Sequence, residues 1–140
     1  SYWAYTNAAM THLLDGCLPE YPKWENYFDF IIVGASKPAF FTEDRKFLAL
    51  DRVSGEVSAE VEVKGLDKQY IFQGGCIADF ERFVDTPGEQ ILYVGDHIYG
   101  DIMRSKKESL WRTALVLDEM EDEIEVMFIE QPVVRRVTLA

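Results

Sequence analysis

Apolar residues in this chain gather into short continuous runs, a pattern typical of strands buried on both faces of a sheet. The best defined run is Ile91–Val94, which is rich in β-branched residues and is followed by Gly95, where the backbone can turn tightly. Three further segments are predicted as strands: Ser1–Asn7, Tyr27–Val33 and Arg112–Leu117.

Other segments have apolar residues three or four positions apart, which predicts helices. They are Ala8–Asp15, Ile77–Val84 and Asp101–Trp111. Because strands and helices alternate along the chain, we expect an α/β fold built on a parallel sheet.

A period of two residues marks a third kind of segment. Phe47–Asp51 and Glu56–Val63 alternate apolar and polar residues on either side of Ser54–Gly55, which predicts a β-hairpin. We expect this hairpin, at about residues 46–64, to be an excursion from the main sheet.

The composition fits one globular domain. The chain has 140 residues, of which 48% are hydrophobic, and no apolar run is long enough to span a bilayer. A net charge of −11 argues against a nucleic-acid-binding surface, although a single nucleotide could still bind beside a metal ion. Cys17 and Cys76 lack metal-type spacing, so we expect two buried free thiols in a reducing compartment.

Two acidic residues follow the strand Ile91–Val94, at the position where open α/β sheets bind ligands. Asp96 comes directly after Gly95, and Asp101 follows five residues later. Two carboxylates on one strand-to-helix turn suit Mg²⁺, which prefers oxygen ligands. A helix cap and a solvated aspartate would explain the same pattern.

Polar residues that could bind an anion follow two other predicted strands. Thr6 and Asn7 come before a predicted helix N-terminus, where anions bind, although Asn7 could simply cap that helix. Lys37 follows the strand Tyr27–Val33 and is a candidate phosphate ligand, although most lysines are solvated.

Parallel strands bring their carboxyl ends to one edge of a sheet, so these positions are expected to converge. A hydroxyl, a lysine and two acids at one edge suit phosphoryl transfer, in which positioning and charge stabilisation do most of the work. Thr6 and Asn7 would bind phosphoryl oxygens, Lys37 would neutralise developing charge, and Asp96 with Asp101 would bind Mg²⁺.

Two long blocks of the sequence resemble a known family. YFDFIIVGASKPAFF (Tyr27–Phe41) and ILYVGDHIYGDIMRSKKESLWRTALVL (Ile91–Leu117) are similar to the cytosolic purine 5′-nucleotidases of the haloacid dehalogenase superfamily. Thr6-Asn7, Lys37-Pro38 and GDHIYGDI resemble motifs two, three and four of that superfamily. The resemblance implies a Rossmann-like parallel sheet with flanking helices, and Mg²⁺-dependent hydrolysis of purine nucleoside 5′-monophosphates such as IMP and GMP.

The family's pattern also implies a role for each site residue. Thr6 would contact the phosphoryl group, with Asn7 beside it. Lys37 would steady the nucleophile and the phosphate, Asp96 would ligate Mg²⁺, and Asp101 would support the metal site.

Some relatives bind a nucleotide effector after the fourth motif, which would place Tyr99 and Lys107 near an activator. The resemblance further implies a cytoplasmic homo-oligomer that has neither a nucleic-acid nor a membrane partner.

The family's first motif, DxDxT/V, which carries the aspartate nucleophile, is missing from this sequence. DEMED (Asp118–Asp122) follows a strand but comes last instead of first. We therefore expect these 140 residues to be the C-terminal part of a catalytic core whose nucleophile strand and cap lie upstream. The alternatives are a catalytically silent nucleotide-binding or interaction module, and a phospho-receiver domain. In receiver domains, however, the acidic residues come first and the lysine last, whereas here Lys37 precedes Asp96 and Asp101, so the order counts against a receiver.

Overall fold

A computed structural model of the chain describes residues 2–96 and 109–116, in which helices and strands combine in an α/β architecture. The helices are α1 Trp3–Leu14, α2 Ala39–Thr42 and α3 Ile77–Val84. The strands are β1 Ile32–Val33, β2 Phe47–Leu50, β3 Ile71–Gly74, β4 Leu92–Gly95 and β5 Arg112–Leu115. None of the helices described is long and apolar enough to cross a membrane. Most of the predicted helix Asp101–Trp111, and all of Asp118–Asp122, lie outside the described residues.

The first three strands form a mixed sheet in the order β1-β3-β2. β1 runs parallel to β3, with Ile32 opposite Phe72, and β2 runs antiparallel to β3, with Leu50 opposite Ile71. The central strand is deeply buried, because Ile71 and Phe72 expose only 0% and 2% of their surface. β1 is shorter than the predicted strand Tyr27–Val33, since Tyr27 belongs to a 3₁₀ turn.

The other two strands form a parallel pair, with Tyr93 of β4 opposite Thr113 of β5. Both strands were predicted, but the expectation that β4 is buried on both faces is wrong for the described residues. Leu92 and Val94 are 62% and 55% exposed, whereas Tyr93 between them is half-buried. Successive side chains of a strand point to opposite faces, so only one face of β4 packs here.

Aromatic rings join the two sheets. Five buried side chains form what we call the aromatic cluster: Phe40, Phe41, Phe47, Phe72 and Trp111. Phe72 belongs to the three-stranded sheet, whereas Trp111 directly precedes β5. The ring of Phe80, on α3, lies 5.2 Å from the ring of Trp111, and the indole N–H of Trp111 donates a hydrogen bond of 2.7 Å to Glu81. The cluster therefore packs α3 and both sheets together.

Two local predictions are confirmed. α3 has the predicted bounds, and Ile77, Phe80 and Phe83 of its apolar face pack against the aromatic cluster. Cys17 and Cys76 are both free, as predicted, but the expectation that both are buried is wrong for Cys17, which is exposed.

The strand predicted at Ser1–Asn7 is wrong, because α1 is already helical at Trp3. Periodicity alone does not separate a short apolar strand from a buried helical segment. Trp3, Met10 and Leu14 recur at helical spacing and pack into one apolar cluster. Trp3 is 6% exposed, and its indole N–H donates to the Arg52 carbonyl at 3.2 Å, so this contact fixes the helical register.

The predicted hairpin at residues 46–64 forms only around its turn. β2 pairs along its whole length with β3, so it belongs to the main sheet and is no excursion. Across the predicted turn, Leu50 bridges to Val57, the Asp51 N–H donates to the Glu56 carbonyl and the Ser58 N–H donates to the Ala49 carbonyl, both at 2.9 Å. Residues 58–63 form no strand. Alternation predicts a half-buried strand without specifying its partner, and the buried strand β3 offers β2 a longer apolar surface.

The turn after β2 is closed by Asp51. Its carboxylate accepts hydrogen bonds from the backbone N–H groups of Ser54 at 2.7 Å and Val53 at 2.9 Å. These donors stabilise the ionised form and lower the pKa of Asp51. The ring of Trp3 lies against Gly55, so the turn also packs on α1.

Gly75 provides a test of packing beside β3. It has a φ of +83°, and a methyl group there would overlap the ring of Phe47. We expect Gly75→Ala to lower the free energy of unfolding by about 3 kcal/mol, because backbone strain and overpacking add. Gly16→Ala is the matched control, since Gly16 has a φ of +74° and open space around it. We expect Gly16→Ala to lower the free energy of unfolding by only about 1 kcal/mol.

Denaturation of the full-length protein, followed by tryptophan fluorescence, measures both variants. Equal losses for Gly75→Ala and Gly16→Ala would show that the Phe47 ring moves aside, and would contradict the packing described here.

Candidate active site

β1 ends in a tight turn that presents Lys37 to solvent. Gly34 and Ser36 have positive φ values of 57° and 59°, and the serine hydroxyl donates to the Gly34 carbonyl at 3.2 Å. The Lys37–Pro38 peptide bond is cis. Helix α2, which follows, contributes two buried phenylalanines to the aromatic cluster. The lysine therefore extends from a short loop anchored at both ends.

The Lys37 ammonium reaches the other sheet. Its Nζ donates a hydrogen bond of 2.9 Å to the hydroxyl of Tyr93, and lies 5.6 Å from the centre of that ring. Tyr93 is the second residue of β4, and its ring packs 5.9 Å from Phe41 and 6.2 Å from Trp111. A contact between residues 56 positions apart thus brings the loop after β1 to β4.

Asp96 directly follows β4 and is exposed. The strand remains paired up to this point, because Val116 N–H donates to the Gly95 carbonyl at 2.8 Å. Asp96 lies three positions after Tyr93, so their Cα atoms are about 10 Å apart at most. The carboxylate and the Lys37 ammonium are therefore carried by neighbouring parts of the structure.

Thr6 and Asn7 do not occupy the strand-to-helix turn that was predicted for them. Both lie inside α1, where the Thr6 N–H already donates to the Tyr2 carbonyl at 3.0 Å. The side-chain oxygen of Asn7 accepts a hydrogen bond of 3.0 Å from the indole N–H of Trp24. Asn7 therefore links α1 to the 3₁₀ turn that contains Trp24.

The other predicted site residues, Tyr99, Asp101 and Lys107, lie outside the described residues. Within residues 2–96 and 109–116, no three histidine, cysteine or acidic side chains cluster closely enough to hold a metal ion. Mg²⁺ commonly takes only one or two protein carboxylates and keeps several waters, so the hard oxygen of Asp96 suits one such ligand.

The sequence did not identify Tyr93 as a partner of Lys37. It lies in the apolar run Ile91–Val94, which predicts only that it belongs to a strand. A tyrosine in a packed strand usually finds a hydrogen-bond partner for its hydroxyl, and that expectation is the signal that could have drawn attention to it.

Comparison with known proteins matches the chain over residues 1–139 to the model of the 5′ nucleotidase family. It is 34% identical over 132 residues to the human 5′-nucleotidase domain-containing protein 2, covering 94% of this chain and 24% of that protein. The rat protein of the same name is also 34% identical, with 22% of it covered. A 5′-nucleotidase domain-containing protein of Dictyostelium discoideum is 30% identical over 121 residues, which are 86% of this chain and 20% of that protein.

The chain thus spans about a quarter or less of the length of these curated relatives. The family model matches almost the whole of it and includes both blocks that carried the resemblance in the sequence. The chain belongs to the 5′ nucleotidase family.

Proposed function

We propose that the protein containing this chain hydrolyses purine nucleoside 5′-monophosphates, such as IMP and GMP, with Mg²⁺. Family membership supports nucleotide hydrolysis in general. The observation that carries the site assignment is the hydrogen bond between Lys37 and Tyr93, which brings an ammonium group to the strand that directly precedes Asp96. A cation held against a strand whose carboxyl end is followed by an aspartate suits binding of a phosphoryl group and its metal ion.

Each residue would have a defined task. The Lys37 ammonium would bind a phosphoryl oxygen and stabilise the charge that develops there. The Asp96 carboxylate would bind Mg²⁺, and Asp101 would support it. The metal would supply electrostatic stabilisation of the phosphoryl oxygens.

The nucleophile in this proposal is an aspartate outside the chain. One of its carboxylate oxygens would attack phosphorus while the bond to the nucleoside oxygen breaks, and that oxygen would take up a proton from a second aspartate of the same motif, acting as general acid. Water would then hydrolyse the aspartyl-phosphate and release inorganic phosphate. This proposal places the protein in the haloacid dehalogenase superfamily, to which its motifs are similar.

Phosphate release from IMP by the full-length protein tests the assignment of Asp96. We expect activity to require Mg²⁺, and Asp96→Asn to lower kcat/KM by about 100-fold or more, since the metal loses an anionic ligand. Asp29→Asn is the matched control, because Asp29 is an exposed carboxylate before β1 and should tolerate the change.

Full activity of Asp96→Asn would remove Asp96 from the metal site. Binding of IMP without any phosphate release by the wild-type protein would favour the catalytically silent module instead.

A second experiment separates Lys37 from other lysines. Lys37→Ala should lower kcat/KM for IMP by about 100-fold, because one preorganised charge is lost from the phosphoryl site. Lys64→Ala should have no effect, since the Lys64 side chain is 80% exposed and pairs only at the surface, 3.5 Å from Glu62. Equal activities of the two variants would contradict the role of Lys37.

The hydrogen bond between Asn7 and Trp24 predicts that Asn7 stabilises the fold and does not bind phosphate. Asn7→Ala should lower the free energy of unfolding by about 1 kcal/mol, through loss of its hydrogen bond to Trp24, and should leave kcat/KM for IMP unchanged. Trp24→Phe removes the same hydrogen bond from the other side and serves as the comparison. A lower kcat/KM for Asn7→Ala with unchanged stability would instead assign Asn7 to phosphate binding.

A further inference from the structure

The hydrogen bond between Lys37 and Tyr93 links a flexible cation to a rigid side chain. A lysine side chain has four rotatable bonds, so an exposed lysine does not hold its ammonium group in one place by itself. Lys37 is exposed, yet its Nζ donates to the Tyr93 hydroxyl at 2.9 Å.

Tyr93 has the rigidity that Lys37 lacks. A tyrosine has only two side-chain torsions, and the ring of Tyr93 packs against Phe41 and Trp111 at centroid distances of 5.9 and 6.2 Å. Its backbone lies in the parallel pair of β4 and β5, opposite Thr113. The hydroxyl oxygen is therefore held by the strand and by the aromatic cluster together.

We propose that Tyr93 is a positioning residue, which holds the Lys37 ammonium against β4, the strand that directly precedes Asp96. Both groups then depend on one element, because Asp96 directly follows the strand that carries Tyr93. A cation and an anion bound to one rigid strand are preorganised for a phosphoryl group and its metal. This inference rests on the proposed function, in which Lys37 binds phosphate.

The alternative is that the Tyr93 hydroxyl supports the packing around β4 by itself, independently of Lys37. In that case loss of the hydroxyl would disturb the protein whether or not Lys37 is present. The two roles differ in whether the effect of the Tyr93 hydroxyl depends on Lys37, which a double-mutant cycle measures directly.

The experiment uses the full-length protein and inorganic phosphate, with binding followed by calorimetry. Four proteins form the cycle: wild type, Tyr93→Phe, Lys37→Ala and the double variant. We expect Tyr93→Phe to weaken phosphate binding about tenfold, as for loss of a hydrogen bond to a charged group, and to have no further effect once Lys37 is alanine. Phenylalanine keeps the ring contacts, so folding is preserved.

Tyr70→Phe is the matched control. Tyr70 also packs against the aromatic cluster and also carries a hydrogen-bonded hydroxyl, which accepts from Gln69 at 3.2 Å. Its loss should leave phosphate binding unchanged. The positioning role is overturned if Tyr93→Phe weakens binding equally with and without Lys37, or if it has no effect in the wild-type background.

The same four proteins assayed with IMP distinguish this inference from the proposed function. If Lys37 is a phosphate ligand positioned by Tyr93, kcat should fall more than KM rises in Tyr93→Phe, and again only when Lys37 is present. Coupled phosphate binding without any hydrolysis of IMP would support the positioning role while refuting the proposed activity. If IMP is hydrolysed but the effects of Tyr93→Phe and Lys37→Ala are additive, the proposed activity is supported and the positioning role is refuted.

Discussion

The packing of the aromatic cluster between the two sheets is the interaction on which the described structure depends. Neither sheet is large, and a pair of strands such as β4 and β5 is marginally stable without something to pack against. Trp111 supplies that contact, because it lies among Phe40, Phe41, Phe80 and Tyr93. Aromatic pairs contribute about 0.5–1.5 kcal/mol each beyond the burial of their surface, and several of them act here at one place.

The same packing determines where the candidate active site lies. Phe41 follows Lys37 by four residues and Tyr93 precedes Asp96 by three, so the contact between their rings carries both chemical groups with it. Lys37 is therefore held where the two sheets meet, and Asp96 directly follows the strand on the other side of that junction. Leu92 and Val94 face away from this junction, which explains why an apolar strand has one exposed face here.

Local patterns allowed several elements to be predicted correctly. The apolar face of Ile77–Val84 predicted α3 with its observed bounds, and the run Arg112–Leu117 predicted the strand that became β5. The positions of Lys37 and Asp96, each soon after a strand, were also predicted, because Gly34 and Gly95 mark where those apolar runs stop. The prediction failed at Trp3–Asn7, where a short aromatic segment fits a strand or a helix equally well until its partner is known.

The sequence alone determined the α/β class, the family and the residues available for chemistry, because these depend on periods and motifs contained within short windows. Only the tertiary structure decided that β2 pairs with β3, that Asn7 bonds to Trp24 inside a helix, and that Lys37 meets Tyr93. Each of these contacts joins residues far apart in the chain, 56 positions apart for Lys37 and Tyr93. Such pairs form only when distant segments pack together, so no local pattern specifies them.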